Sequence, residues 1–547
     1  MPDLKSLMPT ANFLSNMDIW IVLFYVVSIF ILAQVVSRRK AGEETTSKGY
    51  FLANNQLPWW AIGASLIAAN ISAEQIIGMS GSGYRIGLAI ASYEWMAAIT
   101  LIIVGKYFLP VFLKNGVTTM PGFLQQRFGP SVKYLMAVFW LILYIFVNLT
   151  TILWLGGTAI TTVTGISPLT ALIFLGVFAL AYQLYGGLKA VALTDIVQVG
   201  LLIIGGLIIV FITYSKIGGD AGMIGGLTMV YERFPEHFDM ILAKDSPFYK
   251  DLPGIAVLIG GMWIMNISYW GFNQYIIQRA LAAKDLPEAQ KGIAFAAYLK
   301  LLMPVIVVLP GIAALILSPG LEPADKAYPE MMKLLPAGLL GLVFAALVAA
   351  VIASTASKIN SIATIFTIDI IAPLNKSIPD DKLVTVGRIA SVVAVAIAIA
   401  TAEPLLGQLD QAFQYIQDFT GFFTPAIVVI FALGMFWKRA STAGAFAAVA
   451  GGFLASCFFY LVSYVHKTPV PGLEALTALP DMPFMNRVGW VFWLSLAMCV
   501  IVSLVVPNKR EVSTLTLEGV SFKTTPVFNV LAVGVLIILI ALYAMFW

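Results

Sequence analysis

The 547-residue chain is 60% hydrophobic and only 11% charged, with a mean hydropathy of +0.91, whereas soluble domains carry about 25% charged residues. This composition marks an integral membrane protein, and its long unbroken apolar runs exclude an outer-membrane barrel, whose strands alternate polar and apolar over about ten residues. The net charge of +4 is spread over many loops, so no basic patch is offered to nucleic acid.

A crossing needs roughly 20 apolar residues to span a core of about 30 Å. Runs of that kind predict an all-α polytopic protein of about fourteen transmembrane helices, at 17–37, 58–82, 88–112, 133–160, 167–185, 191–215, 254–278, 291–318, 337–372, 383–404, 408–437, 441–465, 484–507 and 525–547. The segment before the first run has no basic start and no small-residue cleavage site, so that run reads as an uncleaved span. Lys and Arg favour one side about two to one when the amino terminus is placed outside, which predicts a multi-pass protein of the cell (cytoplasmic) membrane with both termini outside. Lys300 and Lys358 stay within predicted spans. Cys457 and Cys499 also lie in spans and His237 and His466 on outer loops, a distribution that gives no ligand cluster for zinc or haem and no disulfide. No organic cofactor is expected.

Two spans are interrupted by polar residues. The stretch from Trp59 to Tyr84 carries Asn70, Ser72, Glu74 and Gln75 at its middle, and the stretch from Gly254 to Arg279 is interrupted at Asn266. Polar residues at bilayer depth are costly unless they face protein or a wet cavity, and irregular backbone is tolerated there on the same condition. The expectation is two discontinuous helices whose freed carbonyls hold a cation and whose half-helix ends orient a polar solute. The competing reading is an intact helix whose small residues pack closely on a neighbour.

The organisation follows. Residues 17–37 form a peripheral first helix, 58–215 a first five-helix block, 254–437 a second and 441–547 three peripheral helices. Five crossings per block force the second to enter from the opposite face, so any likeness between them is an inverted repeat. The outer connection 218–253, of mixed charge, predicts short surface helices acting as a lid or solvated loop, and Pro319 to Leu335 reads the same way.

Four motifs carry a family resemblance: AANISAEQIIGMSGSGY from Ala68, IASYEWM from Ile90, GFNQYIIQR from Gly271 and QAFQYIQDFTG from Gln411. They resemble the sodium/solute symporter family, most nearly its bacterial sodium/galactose (sodium/glucose-type) cotransporters, over nearly the whole chain. The resemblance implies a five-plus-five inverted-repeat (LeuT-like) core importing a sugar together with Na+. It places sugar contacts at Gln75, Glu94, Asn266, Lys300 and Gln417, braced by Asn70. An inner gate is implied at Tyr269 with Trp270, and an outer gate at Met79, Tyr93 and Phe413. Na+ is assigned to the backbone carbonyls of Ala68, Ile71 and Ala350 and to the hydroxyl of Ser354. Two positions depart from the pattern. Ala97 stands where the galactose transporters carry a hydroxyl, and Ala353 lacks the second hydroxyl of the cation site, which predicts weaker sodium binding. Thr355 is turned about 100° round the helix and does not replace it.

The residue types agree with a hexose, which presents hydroxyls and apolar C–H faces to amides, ionised groups and aromatic plates. Glu94 and Lys300 have the alternative of neutralising each other, and Gln417 that of bonding to a neighbouring helix. Lys358 lies one turn beyond Ser354 on the same helix face; it either pairs with Asp195, a position the resemblance places along the ion exit path, or snorkels toward the cytoplasm while Asp195 serves its own helix amino terminus. A channel is disfavoured by the gates, and an enzyme by the absence of H-E-x-x-H, G-x-S-x-G and Walker A patterns. The runner-up is a sodium symporter for another small polar solute such as an inositol, an amino acid or an organic acid. The bilayer is the only other partner implied, and oligomeric state stays open.

Overall fold

Apolar runs whose backbone groups lipid cannot satisfy are forced into helices, and a computed structural model shows helices joined by short loops over the residues it describes, 14–37, 57–117, 119–185, 188–375, 377–508 and 515–547. In chain order these are α1 (Asn16–Ser37), α2a (Trp59–Asn70) and α2b (Glu74–Arg85), α3 (Leu88–Lys114), α4 (Pro130–Thr164), α5 (Pro168–Tyr185) and α6 (Leu188–Gly218). The second half has α7 in three pieces (Ile255–Ile259, Gly261–Phe272, Gln274–Leu281), then α8 (Leu286–Leu317), α9 (Leu339–Leu374), α10 (Asp380–Leu406) and α11 in two pieces (Ala412–Thr420, Thr424–Phe436). α12 (Thr442–Lys467), α13 (Phe484–Val505) and α14 (Pro526–Met545) follow. Among the described residues nine helices are long and apolar enough to cross a bilayer, eleven when two bent pairs each count as one span, with shorter apolar helices at Asn16–Ile29 and Pro168–Gln183.

The first interruption falls where the polar residues place it. α2a ends at Asn70, Ile71 is extended, and α2b leaves at 66° to α2a. The cause is local: Ser72 Oγ accepts the Glu74 N–H at 3.2 Å and donates to Gln75 Oε1 at 3.1 Å, a side-chain bond that competes with the helix ladder. The Ile71 N–H is the last to reach back, to the Ile67 carbonyl at 2.7 Å, so the carbonyls from Ala68 onward lie at a helix end. α2b opens with a π-helical turn, Glu74–Gly78.

The second interruption is displaced from its expected position. Asn266 sits inside a regular helical piece, with its Nδ2 donating to the Met262 carbonyl at 3.2 Å one turn back, a bond the helix accommodates. The breaks come at Gly260 and at Asn273 instead. Asn273 is extended, its Oδ1 accepts from Tyr144 Oη at 3.1 Å, and its carbonyl receives the Ile276 and Ile277 N–H groups that start the next piece. A bend of 44° between the two pieces of α11, at Gly421–Phe423, had no counterpart in the expectations.

α8 is the central post, packed against α2a, α2b, α3, α6 and α14. Close approach needs glycine here: a Cβ on Gly311 of α8 would lie 2.1 Å from the Ser80 carbonyl oxygen of α2b. α9 packs against α1, α5, α6 and α10. α1, expected to be peripheral, also caps α9, because Asp18 Oδ1 accepts the Gly338 and Gly341 N–H groups at 2.7 and 2.8 Å.

The 218–253 connection forms the short helices expected, Gly222–Arg233 and Pro235–Phe238. It rests on the core: Gly87 takes φ of +92° with the His237 carbonyl where a Cβ would be, and the Met240 N–H bonds to the Phe546 carbonyl at 2.7 Å. Burial pushes the His237 imidazole below its ordinary value and the Asp251 carboxyl up to about 6. Of the two readings of the 319–335 connection, a lid or a solvated loop, the packing fits the lid. Ala324, Asp325, Tyr328 and Met331 are buried, and Asp325 Oδ2 accepts the Ala412 N–H at 2.9 Å, so this segment seals the gap between α2b and α11.

Candidate functional site

Two adjoining cavities meet at the α2 break. The first lies between α2, α3, α4, α7 and α11. Of the residues expected to touch the sugar, Asn70, Gln75, Glu94, Asn266 and Gln417 all line it, and Ala97 lies on its wall. Gln75 keeps its NH2 for the cavity because its Oε1 is held by Ser72, whereas Asn266 keeps its Oδ1 because its NH2 is held by Met262. Tyr93, Phe413, Tyr269 and Trp270 supply aromatic faces, the first two in edge contact at 5.2 Å between ring centres and the last two at 5.1 Å.

Two residues stand elsewhere. Lys300 is fully buried behind the wall, where its ammonium pairs with Glu94 and bonds to Asn70 Oδ1, 5.0 Å from the Trp270 ring centre. It orders the two residues that face the cavity instead of facing it. Met79 is buried and off the wall, so the aromatic cap is formed by Tyr93 and Phe413. The cap is locked from beyond by Arg85 with Asp410, whose other oxygen accepts the Ala324 N–H at 2.9 Å, and by Arg487 with Asp418 at 2.7 Å.

The second cavity, a small one, lies between the α2 break and α9 and is lined by Ala68, Ala350, Ala353 and Ser354 among others. Ile71 is at the break, buried and not on the wall. Ser354 Oγ donates to the Ala350 carbonyl at 2.9 Å, leaving its lone pairs to a cation. Ala353 offers no oxygen, and Thr355 is buried, donates to the Val351 carbonyl at 2.6 Å and is off the wall. Ser357, Ser72 and Glu74 also line this cavity. The donor set of helix-end carbonyls, hydroxyls and a carboxylate suits a hard cation such as Na+.

Asn70, Glu74 and Tyr269 line both cavities. Tyr269 Oη accepts from Asn70 Nδ2 at 3.0 Å and from Tyr275 Oη at 2.6 Å, which ties the end of α2a to the aromatic floor shared by the two cavities. Tyr275, Arg279, Ala353 and Ser357 continue into a larger third cavity that runs toward Gln278, Asn360 and Asp369.

Lys358 lines the cation cavity with its ammonium 3.7 Å from the Tyr275 ring centre and 3.4 Å from Asn148 Oδ1. Asp195, its expected partner, has a side chain outside the described residues. Sequence reasoning missed Asn148, Asn273 and Tyr275 as wall residues, the first an amide inside an apolar run and the other two within the motif GFNQYIIQR, and it gave Glu74 no role of its own.

The model of the Sodium:solute symporter family matches residues 50–452. The chain belongs to the sodium:solute symporter family. It is 48% identical to the sodium/glucose cotransporter of Vibrio parahaemolyticus over 98% of this chain and 99% of that protein. It is 33% identical to the human sodium/myo-inositol cotransporter 2, covering 83% of this chain and 71% of the relative. Among solved structures, a Na+-coupled sialic acid symporter in a substrate-bound outward-open state is similar with a TM-score of 0.74 at 21% identity, covering 91% of this chain and 99% of the other. Mhp1, a nucleobase-cation-symport-1 family transporter, has a TM-score of 0.52 at 12% identity over 83% and 94%. These likenesses establish the fold of a multi-pass symporter. The chain is a transporter and not an enzyme.

Proposed function

We propose that the protein imports a glucose- or galactose-like hexose with Na+ by alternating access. The observation that carries this reading is the shared wall, since Asn70, Glu74 and Tyr269 face both an amide-and-aromatic cavity and a cavity of cation-binding oxygens. Gln75, Glu94, Asn266 and Gln417 hold the sugar hydroxyls, Lys300 and Asn70 brace them, and Tyr269 with Trp270 stacks beneath the ring. The carbonyls of Ala68 and Ala350 and the hydroxyl of Ser354, all on the wall of the second cavity, hold Na+. Its binding ties α2a to α9 and favours the state that presents a formed sugar site, a population shift that is reciprocal in binding free energy.

The same reading has fourteen crossings in the cell membrane with both termini outside, and a core of two inverted five-helix blocks, 58–215 and 254–437. The sealed face at Arg85 and Asp410 is then the outer one, and the large cavity reaching Asp369 is the exit to the cytoplasm. The 48% identity to a sodium/glucose cotransporter supports the hexose. Ala97 on the cavity wall keeps a neutral polyol such as myo-inositol as the second reading. Uptake of labelled glucose, galactose and myo-inositol into proteoliposomes tests both: hexose accumulation that requires an inward Na+ gradient supports the proposal, and equal uptake with choline in place of Na+ overturns it.

A further inference from the structure

Glu74 is 8% exposed and Lys358 4% exposed, yet they are not joined as Glu94 and Lys300 are. Among the described residues no group bonds to Glu74 Oε1, an atom buried from solvent. No ion pair within 4.0 Å is made by Lys358 with any described acid; its ammonium rests on the Tyr275 ring at 3.7 Å, with the Tyr144 ring at 5.0 Å. Both side chains line the cavity that holds Ala68, Ala350 and Ser354. The other cation on that wall, Arg279, is engaged by Ser65 Oγ at 2.9 Å and by the Tyr275 carbonyl.

An unpartnered carboxylate oxygen at this depth costs several kcal/mol unless a cation satisfies it. Two occupants are available to it, the ammonium of Lys358 and a free cation in the cavity. Ala353 offers no oxygen to the cavity from α9, so a further strong ligand is wanted on the side facing the α2 break, where Glu74 stands. Cation–π contact with Tyr275 gives the displaced ammonium a second resting place of comparable worth, which is what an exchange between two positions requires.

Resting on the reading of this cavity as the Na+ site, we propose that Glu74 is an anionic ligand of the coupling Na+ and that Lys358 is a tethered cation competing with Na+ for it. Na+ arrives as Lys358 lies on Tyr275, and Na+ leaves toward the exit cavity as the ammonium takes its place on Glu74. Release is thereby assisted without any covalent or redox step.

The test is equilibrium binding of radioactive Na+ to the purified full chain in nanodiscs. Lys358→Met tightens Na+ binding about tenfold, and Glu74→Gln weakens it at least tenfold, these being the sizes of one lost charge contact in a buried site. In Glu74→Gln/Lys358→Met the affinity stays at least fivefold below that of Lys358→Met alone. Were the two residues only a structural pair, the double variant would bind like the single Lys358→Met, and that result overturns the proposal, as does unchanged or weaker binding in Lys358→Met. Lys358→Arg keeps the competing charge and binds Na+ within threefold of wild type, which decides the matter should Lys358→Met not fold. Ser354→Ala separates the two claims: if it loses Na+ while Glu74→Gln does not, the cation site stands and the role of Glu74 falls; wild type without Na+ binding removes both.

Discussion

The two cavities hold the same chemistry in opposite arrangements. At the wall of the sugar cavity, Glu94 and Asn70 are clasped by Lys300, which lies behind them and is excluded from solvent. In the cation cavity, Glu74 and Lys358 face the same space without touching. A closed pair has no charge to offer and sets geometry, whereas a separated pair keeps its field for an ion that enters between. Buried charges at membrane depth thus serve rigidity in one place and exchange in the other.

The largest effect should come from opening the closed pair. Lys300→Met leaves Glu94 uncompensated, which costs about 3–5 kcal/mol in buried pairs, and should show as loss of folded, monodisperse protein and of sugar uptake. Glu94→Gln/Lys300→Met should recover the fold, read by thermal unfolding, without recovering transport. Lys358→Met should keep its unfolding midpoint near that of wild type; destabilisation as severe as that of Lys300→Met would erase the contrast between the cavities.

Removing one neutral oxygen is a smaller change. Ser354→Ala should raise the Na+ concentration for half-maximal uptake about tenfold, the worth of one contact to a charged group, and leave sugar binding without Na+ unchanged. Ala97→Ser adds a hydroxyl to the wall of the sugar cavity and should lower the KM for a hexose by about fivefold, measured by competition between galactose and glucose. The smallest effect belongs to the outer connection. Asp251 titrates near 6 in the folded chain against an ordinary 3.8, so its contribution to stability is present below about pH 4 and is lost as pH rises through 6. Asp251→Asn should flatten the fall in unfolding midpoint between pH 4 and 6.

Much of this was legible in the chain because the bilayer turns hydropathy into architecture. The α2 break was read where it lies because Ser72 acts on its own neighbours, a signal contained in the local sequence. The α7 breaks were not, because Asn266 satisfies itself within the helix while Asn273 depends on Tyr144, 129 residues away. Gln75, Asn266 and Gln417, in or near the motifs, come together on the wall of one cavity. Lys300 was assigned to the sugar, but tertiary packing sets it one layer back. Whether a polar residue faces a void or braces one that does is decided by neighbours distant in sequence.

The central claim is that the shared wall of Asn70, Glu74 and Tyr269 couples the two cavities, and linkage measures it directly. Binding of labelled glucose to the purified protein should tighten at least fivefold when Na+ replaces choline, at the low end of ordinary coupling, and Na+ affinity should rise by the same factor when glucose is saturating. A glucose affinity identical in Na+ and choline, with each ligand indifferent to the other, would contradict it.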